Sequence, residues 1–495
     1  MLFNSLEFLF FFPLVTALYF IAPLRARWKI LLSASIVFYM AFVPVYIFIL
    51  AAIVLIGYWL GLVIESDARR KGIYLTLGTM LSLAILFVFK YFNFFNENTQ
   101  RIAEALRWNY SMETLKWVLP IGISFYTFQN ISYLIDVFRG RRQAEKHLGY
   151  YALYIMFYPQ LVAGPIERAG NLLPQFRIEH KFEYRRVTNG LKLMAWGFFK
   201  KLVVADRSAM FVDAVYSDPQ SFQGVSFMVA TFFFAFQIYC DFSGYSDIAI
   251  GSAEVMGIRL MDNFNRPYSA TSITEVWRRW HISLSSWIQD YLYTPLVIRF
   301  RDWGQAGTVC AVVVAFVLVG LWHGANWTFV IYGLMQGAII SLEYLSAPNR
   351  KKFLRKIPRI VSNFVTVTLT FIVWCLTLIV FRAQNLNDAL YIYTHLLDGV
   401  VDFARFIYSS LHMLNKGAGI LYPIFLGIPK SEFVIGVLAI LFMELVHFLE
   451  RHNKMRTMFE GRPLWLRWSI YYTIVFSLLT VGVYRTEKPF IYFQF

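Results

Sequence analysis

The chain has 495 residues, of which 58% are hydrophobic and only 15% are charged. A soluble domain of ordinary composition carries about 25% charged residues, so the composition excludes a soluble globular protein and indicates an integral membrane protein. The formal net charge of +16 lies mainly in short loops between apolar stretches, which is typical of cytoplasmic loops and speaks against nucleic-acid binding.

Apolar stretches long enough to cross roughly 30 Å of hydrocarbon recur along the whole chain. The predicted spans, in chain order, are 6–23, 28–42, 45–63, 73–96, 118–137, 187–204, 222–240, 307–322, 327–346, 358–382, 431–450 and 466–485. We therefore predict an all-α polytopic protein that forms one membrane domain over residues 1–495. The N-terminus has no basic region and no cleavage pattern, so we expect a retained first span.

Basic loops follow the first, third and fifth spans, which predicts an external N-terminus and cytoplasmic loops at these places. The apolar segment 148–166 lies between two basic loops and contains the breaker Gly164–Pro165. We therefore predict a re-entrant or half-buried segment that protein shields from lipid. Lys200 and Lys201 would lie near the outer end of their span, where snorkelling or an interfacial position would accommodate them.

The stretch from Asp241 to Trp303 is too polar to cross the membrane plainly and is predicted to form short interfacial and re-entrant helices on the cytoplasmic side. A helical hairpin follows over 307–346 and turns between His323 and Asn326. On this topology His323 lies deeper, toward the outside, and His281 lies nearer the cytoplasm.

His323 is the first candidate for chemistry. A single histidine in an apolar run is more often structural, but Gly320, Gly324 and Ala325 leave room for close approach of the backbone. Trp322 and Asn326 add an amphipathic wall and a hydrogen-bond donor. Imidazole is suited to proton transfer near neutral pH, where general acid–base assistance contributes about 10²–10⁴ in rate.

His281 is the second candidate, and Arg278 and Arg279 precede it in a tryptophan-rich segment. By composition this segment is a membrane-interface helix. The arginines are equally suited to hold a phosphate, because the guanidinium group binds phosphate with a planar fork.

Two further clusters have simpler interpretations. Asp241, Ser243, Tyr245 and Asp247 form a polar group at the end of a predicted span, where helix capping and a glycine turn explain them. A second cluster, at the end of the span 431–450, consists of Glu444, His447, Glu450 and His452. It lacks a matching second set of ligands, so we predict no metal site.

The two histidine segments, WRRWHISLSSW around His281 and LWHGANW around His323, resemble the membrane-bound O-acyltransferase family. Other matching stretches are LPIGISFYTFQNISYLIDV from Leu119, YPQLVAGPIER from Tyr158, QIYCDFSGYSDIAIG from Gln237, NFNRPYSA from Asn263, VFRA from Val380 and the terminal PFIYFQF. The resemblance covers the whole chain and is strongest to the bacterial branch that O-acetylates alginate or peptidoglycan. Teichoic acid D-alanyl transferases are close relatives of that branch.

The resemblance implies a ring of about 11–13 transmembrane helices with re-entrant helices around a central tunnel, and a catalytic core at about 119–346. His323 is then expected to act as general base, and His281 to position the donor carbonyl or polarise the thioester. The other residues expected at the donor site, the oxyanion or the tunnel are Asn326, Trp322, Arg278, Arg279, Asp241, Ser243, Tyr245, Gln237 and Asn265.

The implied reaction moves an acetyl group from cytoplasmic acetyl-CoA, a donor substrate, across the bacterial inner membrane, with no bound cofactor. The implied acceptor is an exported polysaccharide, alginate first and peptidoglycan next, reached through a periplasmic SGNH-type acetyltransferase partner. Membrane lipids surround the protein. One alternative is a carrier-protein thioester donor, as in D-alanylation. The other is a transporter with a histidine proton relay, against which the lack of an evident internal repeat argues.

Overall fold

The computed structural model describes residues 1–398, 422–450, 463–484 and 490–491, and within these ranges the chain is helical, without β-strands. The helices before residue 220 are α1 Leu6–Ile21, α2 Leu24–Met40, α3 Ile47–Ser66, α4 Lys71–Leu86, α5 Phe92–Ala105, α6 Ile123–Phe138, α7 Leu148–Met156, α8 Tyr158–Leu161, α9 Ala169–Gln175, α10 Tyr184–Phe198 and α11 Asp206–Tyr216. The helices after it are α12 Val225–Val255, α13 Ile273–Arg279, α14 Ile282–Ile288, α15 Thr294–Arg299, α16 Gly304–His323, α17 Trp327–Leu354, α18 Arg359–Arg382, α19 Leu386–His395, α20 Tyr422–Phe425, α21 Lys430–Leu449 and α22 Leu464–Val481. The π-helical segments Phe87–Tyr91, Phe199–Ala205 and Gln289–Tyr293 connect α4 to α5, α10 to α11 and α14 to α15.

Eight helical stretches in the described ranges are long and apolar enough to cross a membrane, and α1 is a shorter apolar helix. The eight are Pro44–Ser66, Lys71–Ala105, Val225–Val255, Arg301–His323, Trp327–Leu354, Arg359–Arg382, Lys430–Leu449 and Leu464–Val481. The prediction of an all-α, multi-pass membrane protein is therefore confirmed. The predicted spans 28–42, 118–137 and 187–204 are not among the eight. They correspond to the shorter or more polar helices α2, α6 and α10.

The central helix α12 is 31 residues long and does not end at residue 240 as predicted. It packs closely along α10, because glycines face each other on the two helices. A Cβ added to Gly244 would lie 2.8 Å from the carbonyl oxygen of Gly197, and one added to Gly251 would lie 2.5 Å from that of Gly190. The polar residues after 240 therefore lie inside a buried helix rather than in an interfacial segment.

The segment 148–166 is short and shielded by protein, as predicted. It forms α7 and α8, and α8 is completely buried. Gly122, with φ of 78°, precedes α6 and lies against this segment, where a Cβ would come within 2.6 Å of the carbonyl oxygen of Leu161. This left-handed glycine brings the N-terminus of α6 close to the middle of the molecule.

The short helices predicted for the rest of the polar stretch and the predicted hairpin are both present. Short helices α13, α14 and α15 occupy residues 273–299, and α16 and α17 form a hairpin that turns between residues 323 and 327. The two hairpin helices approach closely at Gly320, where a Cβ would lie 2.2 Å from the carbonyl oxygen of Phe329. His323 is thereby placed at the C-terminal end of a tightly packed helix.

Candidate active site

His323 is the last residue of α16, and only 4% of its surface is exposed. The turn that follows is fixed by Asn326, which caps α17. Asn326 Oδ1 accepts a hydrogen bond from the Thr328 N–H at 3.0 Å, and Nδ2 donates to the carbonyl oxygen of Gln384 at 3.2 Å. This gives Asn326 a structural role, and its predicted oxyanion role stays a prediction.

His281 lies in the turn between α13 and α14 with φ of 44°, and it is completely buried. Asn263 holds the imidazole ring, with Oδ1 at 3.0 Å from His281 Nδ1. The Nδ2 group of Asn263 donates to Ser246 Oγ at 3.0 Å, and Ser283 Oγ donates to Oδ1 at 2.9 Å. This network identifies Oδ1 as an acceptor and therefore assigns the His281 proton to Nδ1.

Asn263, rather than the predicted Asn265, is the asparagine that contacts His281. The backbone N–H of Asn265 donates to the carbonyl oxygen of Arg279 at 2.8 Å, and its side chain accepts from Arg266. Both asparagines belong to the motif NFNRPYSA. The motif therefore pointed to the right segment, and the first of its two asparagines carries the contact.

Trp322 lies between the two histidines. Its ring centroid is 5.7 Å from that of His281 and 4.9 Å from that of His323. Phe125 of α6 packs against both Trp322 and His281, at 5.5 and 6.1 Å. Phe242 of α12 meets the His281 ring edge-on at 4.6 Å. Histidines that are 42 residues apart in sequence are thus gathered around one indole in a wall of aromatic rings.

Two openings lie beside this group. A small pocket of about 40 Å³ is bordered by Trp322, His323, Lys90 and the segment 119–125. A larger cleft of about 370 Å³ lies between α13, α14 and the hairpin, and Val319 borders it one helical turn before His323. His323 therefore borders the small pocket, whereas the wider, largely apolar cleft is lined by Ile282 and Val319, which are close to the two histidines in sequence.

The two arginines before His281 have different positions. Arg278 is exposed and lies on the wall of the large cleft. Arg279 donates to Glu275 at 2.6 Å and to Ser269 Oγ at 3.2 Å, so its guanidinium group is held within its own segment. Of the two predicted phosphate ligands, Arg278 is the one placed to meet a ligand in the cleft.

The predicted tunnel residues on α12 lie in a different environment. Lys201 contacts Asp241 at 2.6 Å and Asp206 at 2.9 Å, and Lys200 contacts Asp247 at 2.6 Å and Ser243 Oγ at 3.0 Å. We call Lys200, Lys201, Asp206, Asp241, Ser243 and Asp247 the lysine cluster.

The position of the lysine cluster overturns two interpretations. Asp241 and Asp247 are not helix caps at the end of a span, because they lie in the interior of α12. The lysines do not snorkel, because they are only 3% and 1% exposed. The ring of Tyr245 packs against Phe3 and Phe490, and Gln237 is buried one turn before Asp241.

No group of three or more residues that could hold a metal ion occurs in the ranges that the structure describes. Glu444 lies 3.4 Å from His447 Nδ1, and His447 Nε2 lies 3.3 Å from the hydroxyl of Tyr239. His452 lies outside the described residues.

Lys90 is a residue of the site that the motifs did not reveal. It lies in the π-helical segment Phe87–Tyr91, and its Nζ donates to the carbonyl oxygens of Trp322 at 2.6 Å and His323 at 3.2 Å. The signal in the sequence was a single lysine inside the predicted span 73–96. A charge in such a place is expected to have a function.

The sequence comparisons identify the family of this chain. Residues 145–383 match the family model described as MBOAT, membrane-bound O-acyltransferase family. A probable alginate O-acetylase of Azotobacter vinelandii is 39% identical over 79% of this chain and 76% of its own length. A peptidoglycan O-acetyltransferase of Helicobacter pylori is 33% identical over 79% of this chain and 78% of its own. A teichoic acid D-alanyltransferase of Streptococcus thermophilus is 30% identical over 47% of this chain and 58% of its own.

The family model and the relatives together place this multi-pass helical protein in the class of membrane-embedded acyltransferases. The similarity to relatives over more than three quarters of the chain makes the assignment specific. This chain belongs to the membrane-bound O-acyltransferase family, and it is an O-acyltransferase.

Proposed function

We propose that this protein takes an acetyl group from cytoplasmic acetyl-CoA and passes it across the bacterial inner membrane for O-acetylation of an exported polysaccharide. Alginate is the first candidate polymer and peptidoglycan the second, because relatives with these activities are 39% and 33% identical. The observation that carries the proposal is the gathering of His281 and His323 around Trp322, with Trp322 and His323 bordering the small pocket.

In the proposed reaction His323 is the general base. The imidazole accepts the proton of the acceptor hydroxyl while the hydroxyl oxygen attacks the thioester carbonyl carbon. The tetrahedral intermediate then collapses, the carbon–sulfur bond breaks, and the leaving thiolate takes the proton from the imidazolium of His323. The products are an O-acetyl ester and a free thiol, so atoms and charge balance.

His281 is proposed to orient the donor. Its proton is held on Nδ1 by Asn263, so Nε2 is the acceptor nitrogen of the ring. An acceptor nitrogen suits an N–H group of the donor better than it suits the carbonyl oxygen. We therefore favour the positioning role for His281 over polarisation of the thioester. The large cleft with Arg278 on its wall is the proposed route for the donor, whose phosphates would meet the guanidinium group.

Acetyl-CoA is cytoplasmic and the polymer is outside, so in this proposal the acetyl group has to cross the membrane. We propose that the pocket at His323 serves a periplasmic partner of the SGNH type, which receives the acetyl group and modifies the sugar. The immediate acceptor would then be a hydroxyl group of that partner or of the polymer.

A second candidate donor is a thioester on a carrier protein. The match to a teichoic acid D-alanyltransferase favours it, although that match covers only 47% of this chain. A folded carrier would need to deliver its prosthetic arm through the same cleft, so the two donors compete for one site.

The test uses the full chain in proteoliposomes with radiolabelled acetyl-CoA inside and the acceptor partner outside. We expect acetyl transfer that excess unlabelled acetyl-CoA suppresses and that an aminoacylated carrier protein does not. H323A should lower the rate by at least about 10². His395, which lies on α19 with its Nδ1 at 2.9 Å from the Tyr391 carbonyl oxygen, provides the matched control H395Q. Wild-type transfer by a folded H323A protein would contradict the proposal.

A further inference from the structure

Lys90 joins two distant parts of the chain at the histidine site. A π-helical turn accommodates one more residue than an α-helical turn and is frequent at functional sites. Here the turn Phe87–Tyr91 directs Lys90 toward the end of α16, where Nζ lies 2.6 Å from the Trp322 oxygen and 3.2 Å from the His323 oxygen. Lys90 and His323 border the same pocket.

The end of α16 is a natural place for a cation. The last carbonyl groups of a helix have no partner within the helix, and together they carry a partial negative charge. An ammonium group has three N–H donors. Two of them serve the carbonyl oxygens of Trp322 and His323, and the third remains for the pocket that the half-buried side chain borders.

The proposed reaction needs a donor at this point. When the acceptor oxygen attacks, negative charge develops on the former carbonyl oxygen of the acyl group. His281 presents an acceptor nitrogen, and the side-chain amide of Asn326 is used in capping α17 and in the bond to Gln384. The pocket is also bordered by the first turn of α6, whose N-terminal end is the positive end of that helix.

We propose that Lys90 stabilises the oxyanion of the tetrahedral intermediate while its other two donors hold the Trp322–His323 end of α16 in place. This inference rests on the proposed acyl transfer. Lys90 neither gains nor loses a covalent bond in the step. Its ammonium group hydrogen-bonds to the oxyanion as the acceptor oxygen adds, and it releases that oxygen when the carbonyl re-forms and the thiolate leaves.

A purely structural role for Lys90 is the alternative, and the chain offers a matched control for it. The hydroxyl of Tyr91, the next residue, donates to the carbonyl oxygen of Leu321 at 2.9 Å. Y91F therefore removes one hydrogen bond from the same helix end without changing the charge. K90Q retains an N–H₂ group for the carbonyl oxygens but removes the charge, and K90R retains the charge.

The test measures kcat, KM for acetyl-CoA and the melting temperature of the full-length protein in proteoliposomes or detergent. Loss of an oxyanion donor lowers kcat by about 10²–10³. We expect a fall of this size in K90Q, with KM for acetyl-CoA within about twofold. The kcat of K90R should be at least about tenfold higher than that of K90Q. Y91F should keep kcat within about threefold of the wild type.

The outcomes separate this inference from the proposed function. If H323A is inactive while K90Q has wild-type kcat, the role of Lys90 is wrong and the acyl transfer stands. If K90Q and Y91F lose activity equally, or K90Q changes only KM, Lys90 is structural and the inference is overturned. If wild-type protein transfers no acyl group, the proposed function fails first. Should K90Q not fold, the same kcat criterion is applied to K90M, and K90R must again restore activity.

Discussion

Two polar regions contact the buried helix α12, and they differ in how their charges are used. In the lysine cluster, Lys200 and Lys201 each contact carboxylates at 2.6–2.9 Å, so each ammonium group is paired with opposite charge. At the histidine site, Asn263 and Ser283 hold His281 through neutral groups, and His323 borders a pocket. Polar groups that pair with one another hold the fold together, whereas polar groups that border a pocket are available for chemistry.

Removal of one charge from the lysine cluster should have the largest effect. Breaking a buried ion pair leaves an uncompensated charge, which costs about 3–5 kcal/mol of stability. K201M leaves both Asp241 and Asp206 without their ammonium partner. We expect a strong fall in melting temperature and in yield of folded protein.

The matched control for this change is K192M. Lys192 and Asn189 both lie on α10, and Lys192 Nζ contacts the Asn189 side chain at 3.3 Å. Lys192 is only partly buried. K192M should change stability by less than about 0.5 kcal/mol. If K201M melts at the temperature of the wild type, the lysine cluster does not stabilise the fold.

Glu167 extends this comparison, because it is a buried carboxylate whose hydrogen-bond donors are neutral groups. It accepts hydrogen bonds from the Asn171 amide at 2.7 Å and from the Met261 N–H. Burial raises its pKa from the ordinary value of 4.5 to about 7, more than these bonds lower it. The folded protein therefore binds this proton more tightly than the unfolded chain does.

The stability that Glu167 contributes to the fold therefore decreases as the pH rises. The stabilisation from protonated Glu167 is complete below about pH 4.5 and is lost as the pH rises through about 7. The loss amounts to about 3 kcal/mol. We expect the wild-type melting temperature to fall between pH 5 and pH 8 relative to that of E167Q. Parallel curves for the two proteins would contradict this account of Glu167.

Loss of the side chain that orients His281 should lower activity more than stability. N263A removes the bond to His281 Nδ1 and also the bonds to Ser246 and Ser283. Because misplacement of a reacting group by about 1 Å can cost about 10² in rate, we expect kcat to fall about 10–100-fold. N265A is the control and should stay within about twofold in a kinetic assay with acetyl-CoA. Equal losses of activity in N263A and N265A would contradict the proposal that Asn263 orients His281.

The smallest expected effects are on KM for acetyl-CoA, and they differ between Arg278 and Arg279. R278A removes a cation from the wall of the large cleft, so KM for acetyl-CoA should rise about tenfold, with little change in kcat. R279A breaks a partly exposed pair with Glu275, which contributes about 0–1 kcal/mol to stability, and KM should change by less than about threefold. A larger rise in KM for R279A than for R278A would place the donor elsewhere.

The sequence predicted the features that depend on local pattern. Long apolar runs fixed most of the membrane helices, and the breaker Gly164–Pro165 indicated the short protein-shielded segment. The His323–Asn326 turn was evident because small residues interrupt a run that is apolar on both sides. Both histidines were noticed from their own segments, and Arg278 and Arg279 were named together as candidate phosphate ligands.

Features that depend on distant partners could not be predicted. The carboxylates of α12 resembled the end of a span because the lysines that neutralise them lie 40 or more residues earlier. Asn263 and Asn265 differ by two positions in an irregular segment, and only the fold decides which one reaches His281. Lys90 contacts carbonyl groups more than 230 residues away, which no local pattern records.

The most direct test of the central claim is a cryo-EM structure of the full-length protein with a thioether analogue of acetyl-CoA that cannot be cleaved. We predict that its acyl carbonyl lies beside Trp322, with room for an acceptor oxygen about 3–3.5 Å from the carbonyl carbon and within reach of His323. Its phosphates should lie toward Arg278 at the mouth of the large cleft. An analogue bound with its acyl group against the lysine cluster, or remote from both histidines, would contradict the account.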